Sequence, residues 1–248
     1  VTRIPLEVCV DTLEGAWTAA ENGADRIELC AALSEGGLTP SQGFMVAAAR
    51  LPVPVYAMIR PRSGNFEYSD LEKALMLRDI QAAEKAGLAG IVIGAVDSQH
   101  NLDRDFLAAS LNGTRLPATL HRAIDTARDY EKAIEDAITL GFERVLTSGQ
   151  ASKAEHGLSL LQQAVNVAAG RISIMAGSGV TAANASQILK RSGVQELHAS
   201  CSSVKPLPEP QDLETRLGFV SEAGIKETDG NVVQALRRAM DQFTEAAA

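Results

Sequence analysis

Cysteine is scarce in this sequence, and no excess of positive charge offsets its acidic residues. Only Cys9, Cys30 and Cys201 occur, an odd number without CxxC or Cys/His finger spacing. That excludes a disulfide framework and leaves reduced thiols as the default. Lys and Arg number 23 against 31 Asp and Glu, a formal net charge of -8. No basic stretch offers the counterion-releasing surface that nucleic acid or an anionic membrane requires, so small molecules or metal ions are the expected partners. No apolar run approaches the roughly 20 residues of a membrane span, and the opening VTRIPLEVCV is too short and interrupted to read as a secretory leader. The expected location is the cytoplasm. No GxSxG elbow, Walker loop or HExxH is present.

What is present is a regular alternation. With 46% apolar residues over 248 positions the chain can bury a large core. Short apolar strands alternate with longer helical patterns, the signature of a parallel sheet with helical crossovers. Eight strands are expected, near 4–9, 25–29, 53–60, 90–95, 117–122, 143–147, 172–176 and 195–199. None contains a lysine, which lowers the rank of a Schiff-base aldolase, whose lysine would face the barrel interior.

A repeat supports closure of the sheet. NGADRIEL from Asn22, AGLAGIVIG from Ala86, LGFERVLTSG from Leu140 and SGVQELHAS from Ser192 each run from a helix end through a glycine into an even-numbered strand. Alternate strands of a (β/α)8 barrel fill the same interior layers, so an even-strand echo predicts a single TIM-barrel α/β domain over 1–248. A C-terminal loop and helix extend it, with 205–231, opened by the proline cluster KPLPEP, reading as a surface loop or lid.

Aligned on their glycines, the repeats place Arg26, Gly90, Arg144 and Glu196 in one interior layer and Glu28, Val92, Leu146 and His198 in the next. Cys30, Gly94, Ser148 and Ser200 form the third. Charges facing a barrel interior are costly unless paired, and Arg26, Arg144, Glu28 and Glu196 are available to one another, if only to fill the barrel. Ligand groups in this fold sit at the C-terminal strand ends. There the even strands bring Cys30, Ser148 and Ser200, while the odd strands bring Glu7, Cys9, Arg60, Arg62 and His121.

Each of these signals has a plain alternative. The turn Gly177, Ser178, Gly179 after strand seven exposes backbone N–H groups to a phosphate or carboxylate, or is only a tight turn that needs glycine. Arg60 and Arg62, pointing to one side if the extended path continues, form an anion clamp or a rim ion pair with Glu7, Glu28 or Asp97. His121, oriented by Asp125 or Glu7, is an acid, base or ligand, or a hydrogen-bonded core residue. His198 lies one layer lower and carries less weight. Cys9 and Cys30, ending adjacent strands about 4.8 Å apart, hold a soft ion such as Cu(I) or are two small apolar core residues.

Several segments carry a further signal: LEVCVD from Leu6, NGADRIELCAALSEGGLTPS from Asn22, IRPRSGNFEYSD from Ile59, LHRAID from Leu120, RVLTSGQ from Arg144 and MAGSGVT from Met175. Together they resemble the CutC family of copper homeostasis proteins, from near the N-terminus to about residue 203. The resemblance implies a TIM barrel, a cytoplasmic homodimer linked to copper tolerance, and Cu(I) on the cysteines that match, Cys9 and Cys30. No organic cofactor is implied. Many relatives read RPRGGDF where this chain has RPRSGNF, so Asn65 replaces an acidic residue; some carry cysteine where Glu67 stands.

Two readings of function follow. In one the protein binds Cu(I) through Cys9 and Cys30. In the other it is a metal-independent enzyme acting on a small phosphorylated or carboxylated metabolite. The anion would be held by Arg60, Arg62 and the Gly177–Gly179 turn, Glu28, Ser148 and Ser200 would complete the site, and Glu7 or His121 would move a proton. A dimerising scaffold with a purely structural polar interior is the blandest alternative.

Overall fold

Eight short runs of buried residues become the strands, because only alternate side chains can face the helices while the others point at the barrel axis. They are β1 (Leu6–Val10), β2 (Arg26–Leu29), β3 (Val55–Met58), β4 (Gly90–Ile93), β5 (Ala118–Leu120), β6 (Arg144–Thr147), β7 (Ser173–Ala176) and β8 (Glu196–Ala199). In this computed structural model, which describes residues 3–205, 213–221 and 224–246, each strand pairs in parallel with the next. β1 closes the ring by pairing with β8 as well as β2, with Glu7 opposite both His198 and Arg26. The expected TIM barrel is therefore the observed fold.

Around it lie α1 (Leu13–Glu21), α2 (Gln42–Ala48), α3 (Asp70–Ala86), α4 (Arg104–Asn112), α5 (Tyr130–Leu140), α6 (Leu158–Ala168) and α7 (Ala185–Ser192). The starts of α1 to α5 are set by side-chain caps, most completely at α3, where Ser69 and Glu72 satisfy each other's backbone N–H groups. The main core lies between strands and helices. Leu6, Ile27, Leu29, Ile91, Ile93 and Leu120 are wholly buried there, each contributing about 1.5–3 kcal/mol by removal from water.

The barrel interior is ionic at its lower level. Arg26 pairs with Glu7 and, at 2.5 Å, with Glu196, which also accepts from Arg144 at 2.9 Å and from the Ser173 hydroxyl at 2.6 Å. The Tyr56 ring packs beside both arginines, each guanidinium carbon 5.5 Å from the ring centre. Gly90 makes room for that ring, since a Cβ there would come within 2.4 Å of it. Sequence alignment put Arg26, Arg144 and Glu196 together correctly but offered Glu28 as a partner. Glu7 fills that role, because the register sets it directly beside Arg26.

After β8 the repeat is interrupted. β9 (Ser202–Lys205) and β10 (Ile225–Thr228) form an antiparallel ribbon with a short α8 (Leu213–Arg216) between them, and α9 (Gly230–Ala246) then packs against α7 and α1 as the eighth helix. The proposed loop or lid at 205–231 is thus tied at both ends by the ribbon's ladder rather than being loop throughout. Residues 206–212 and 222–223 of that stretch, including most of KPLPEP, lie outside the described residues. Arg237 of α9 anchors the helix beneath the barrel with bonds to the Ile4 carbonyl at 2.8 Å and Asp25 at 3.0 Å.

Replacing one member of a buried ion network strands the others. Glu196→Gln is expected to lower unfolding free energy by about 3–5 kcal/mol, read by urea denaturation. A loss below about 1 kcal/mol would mean that water reaches and solvates both arginines.

Candidate functional site at the barrel mouth

The third interior layer expected on the even strands consists of Cys30, Gly94, Ser148 and Ser200, all small, and the structure uses that smallness. A cavity of about 460 Å³ opens at the C-terminal strand ends and reaches past this layer to Glu28, Leu146 and His198, with Cys9 beside them. Arg60, His121, Arg122, Ser178, Gly179 and Ser200 stand around it.

At its floor, Cys9, Glu28 and His198 bring one sulfur, one carboxylate oxygen and one ring nitrogen within 4.8 Å of one another. They come from three neighbouring strands. β1 is central, with Cys9 opposite Glu28 and Glu7 opposite His198. Glu7 orients the imidazole by accepting from Nδ1 at 2.8 Å, while Nε2 is 3.8 Å from Glu28. Such a carboxylate behind a histidine fixes the ring and raises its basicity. His198 carries little weight in the sequence taken alone. Its signal was there, because it shares the in-facing phase of Glu196 and the layer of Glu28.

The electrostatics follow from burial. Burial alone would raise the Glu7 carboxyl, but the Arg26 charge and the bond to His198 hold it at about 2. Burial pushes Glu28 up to about 7, with the Glu7 charge adding and that of His198 opposing. For His198 burial works towards the neutral ring, yet the charges of Cys9 and Glu28 and the bonds to Cys9 and Glu7 carry it well above the ordinary histidine range. Burial, with Glu28 and Cys9 adding, raises the Cys30 thiol well above its usual value.

Cys30 does not belong to this converging trio. It is wholly buried with Tyr56, Met58 and Val92, and its thiol faces Glu28 at 3.6 Å. The loop after β2 covers it, since a Cβ on Gly37 would lie 3.0 Å from its sulfur. A shared strand end therefore did not suffice to make two cysteines converge: Cys9 lies opposite Glu28, and Cys30 is a further step along β2.

The arginines also part company. Arg60 stays at the cavity wall, where it donates to the carbonyls of Glu35, Gly37 and Gly64 and stacks on Phe66. Arg62 does not line the cavity: it pairs with Glu72 at 2.5 Å, donates to Asn65 and Glu67, and lies over Tyr68. The extended path assumed for the pair ends with β3 at Met58, before either arginine.

His121 faces the cavity, but neither Asp125 nor Glu7 orients it. Its Nδ1 accepts from the Ala123 N–H at 3.1 Å, which leaves the proton on Nε2. Burial, with the Arg60 charge adding, holds its pKa at about 3, so the ring is neutral. Gly94 accommodates it, because a Cβ there would fall 2.6 Å from Nδ1. Asp125 instead accepts from the Ser148 hydroxyl at 2.9 Å and pairs with Arg122 at 2.8 Å, turning Ser148 away from the cavity. Gly177 likewise lies outside the lining, packed so that a Cβ would meet Leu146 at 2.5 Å. Ser178 and Gly179 do line it, as does Ser200, whose hydroxyl is 3.2 Å from that of Ser202. Arg122, Phe66 and Leu33 are lining residues the sequence reading did not single out.

Comparison with known proteins follows the same outline. The family model of the CutC family matches residues 4–203. A CutC family protein of Sinorhizobium medicae is 45% identical over 248 residues, covering 100% of both chains. One from Aliivibrio fischeri is 49% identical over 207 residues, 82% of this chain and 84% of its own length. Among solved structures, a CutC protein of Streptococcus agalactiae, described as a candidate copper homeostasis protein, superposes with a TM-score of 0.76 at 33% identity, covering 79% of this chain and 98% of its own. Phosphoribosylanthranilate isomerase of Thermotoga maritima shares the barrel at 13% identity and a TM-score of 0.58, covering 96% and 99%. That likeness concerns the fold alone.

The raised Glu28 carboxyl has a measurable consequence. Between about pH 4.5 and 7 the folded state holds this proton while the unfolded chain releases it, so Glu28 costs stability as pH rises. Glu28→Gln removes that term. In metal-free protein the variant should gain on the wild type by up to about 3 kcal/mol between pH 4 and 8, read by denaturant titration at each pH. A pH-independent difference would place the ordinary carboxylate behaviour at Glu28.

Proposed function

The chain belongs to the CutC family, and on that footing we propose that it is a copper homeostasis protein that takes up Cu(I) at the floor of the barrel-mouth cavity. The observation that carries this reading is the convergence of Cys9, Glu28 and His198, with Glu7 already placed behind the imidazole. Thiolate sulfur selects a soft ion such as Cu(I), and imidazole is a suitable second donor. Glu28 is a harder donor, suited to complete or balance the charge of the site. This assigns the ion to Cys9 and His198 in preference to the Cys9 and Cys30 pair. Cys30 stays a buried thiol packed with Tyr56, Met58 and Val92, outside the converging trio.

Copper is cargo in this reading, and the residues act in simple steps. Cys9 and His198 must give up their protons for the ion, so affinity falls as pH is lowered. Glu7 accepts from Nδ1 and thereby presents Nε2 as the free donor. The cavity gives the ion a path to the mouth.

Anaerobic titration of the reduced protein with Cu(I) against a competing chelator tests this. Cys9→Ser should weaken binding by about a hundredfold or more and His198→Ala by about tenfold, while Cys30→Ser changes it less than about threefold. Equal losses in Cys9→Ser and Cys30→Ser would restore the two-cysteine site. Weak binding that all three variants share with the wild type would remove copper from the function.

A further inference from the structure

The cavity is larger than a metal ion requires, and its upper walls are incomplete. Among the described residues, the buried side-chain atoms without a hydrogen-bond partner include Glu28 Oε1, Arg60 Nε, His121 Nε2 and the Tyr68 hydroxyl; the first three belong to residues that line the cavity, while Tyr68 stands behind Arg60. Buried polar groups are ordinarily satisfied, so the unpartnered Nε2 of His121, on a residue of the cavity wall, marks a donor left for a ligand that reaches it. Arg60 and His121 present N–H donors. His121 must do so, since its Nδ1 is occupied as an acceptor.

Charge strengthens the point. At the floor Glu7, Glu28 and Glu196 face Arg26, Arg144 and His198, acids beside bases. Arg60, 6% exposed, has no carboxylate partner among the described residues; its terminal nitrogens bond only to carbonyl oxygens. A buried guanidinium without an anion is costly, and an anionic group brought to this wall would offset that cost.

On the β7 side the turn after Ala176 supplies a second acceptor-seeking surface. Ser178 and Gly179 are consecutive left-handed residues, φ 78° and 70°, and with Val180 they line the cavity. The Gly177 N–H is used by the Thr147 carbonyl and that of Thr181 by Asn184. The N–H groups of Ser178, Gly179 and Val180 have no partner among the described residues. Backbone N–H groups gathered in such a turn make an anion-binding concavity. The Lys153 stem lies against Gly179, with its ammonium 3.7 Å from Glu155.

We propose that the cavity binds a small phosphorylated carboxylic acid, its carboxylate at Arg60 and His121 and its phosphate on the Ser178–Val180 turn. The apolar residues Met58, Phe66, Leu146 and Val180 flank the space between these ends and accommodate a short carbon stem. Arg62, Ser148 and Gly177 take no part, because they do not reach the cavity. The ligand's contacts with the walls do not depend on copper at the floor, so the two readings fail separately.

The experiment uses full-length, metal-free protein with 2-phosphoglycolate and 3-phosphoglycerate as probes of two stem lengths, and inorganic phosphate and glycolate as half-ligands. Calorimetry should show at least one phosphorylated acid binding about tenfold or more tighter than either half-ligand, since two linked contacts act together. In 1H–15N spectra the amides of Ser178, Gly179 and Val180 should shift with both that acid and phosphate. His121→Phe, which keeps the ring volume but removes the donor, should weaken the acid about tenfold while leaving phosphate unaffected. Should that variant not fold, the wild-type amide shifts and the acid-to-half-ligand ratio decide the matter alone. No tighter binding of either acid than of phosphate, or amide shifts confined to residues outside the cavity, would overturn the proposal.

Discussion

Arg26 and Arg144 are enclosed by a ring of eight strands, and that ring is stable only if their charges are answered inside it. Glu196 answers both and Glu7 answers Arg26, with the Tyr56 ring packed beside both guanidinium groups. This network fills the lower barrel with groups that cannot rearrange singly. Everything at the mouth rests on it. Glu7 belongs to the network through one oxygen and to His198 through the other, so the orientation of the imidazole is fixed by the same contacts that hold the barrel together.

Above that layer the logic reverses from filling to emptying. Cys30, Gly94, Ser148 and Ser200 are too small to cap the barrel, and Ser148 is further withdrawn by Asp125. The space left behind gives solvent and ligand access to Cys9, Glu28 and His198. The two proposed ligands would use different parts of this cavity, Cu(I) the donors at its floor and the organic anion the walls at Arg60, His121 and the Ser178–Val180 turn. A copper ion at the floor and an organic anion above it could be bound together, since different atoms serve each.

The site was legible in part. Repeated glycines set the even strands in register, which correctly grouped Arg26, Arg144 and Glu196 and placed Glu28 with His198. Strand ends then nominated Cys9, Arg60, His121, Ser178 and Gly179, all of which reach the cavity. The same rule also nominated Arg62, Ser148, Gly177 and Cys30, which do not converge on it. Their side chains are diverted by partners distant in sequence or by loop geometry: Glu72 for Arg62, Asp125 for Ser148, Leu146 packing for Gly177 and the loop bearing Gly37 for Cys30. Periodicity reports which face a residue occupies and carries no information about what waits for it there.

The sequence by itself determined the barrel, its strand order and the chemical character of each interior layer, because those follow from a two-residue alternation and a glycine-marked repeat local to the chain. Family membership was legible in the same local segments, from LEVCVD to MAGSGVT. Tertiary structure alone decided which in-facing groups meet. Closure of β1 on β8 brings Glu7 and Cys9 to His198 across about 190 residues of sequence. The stagger of a closed sheet, together with competition from loop partners, set which atoms converge at its mouth.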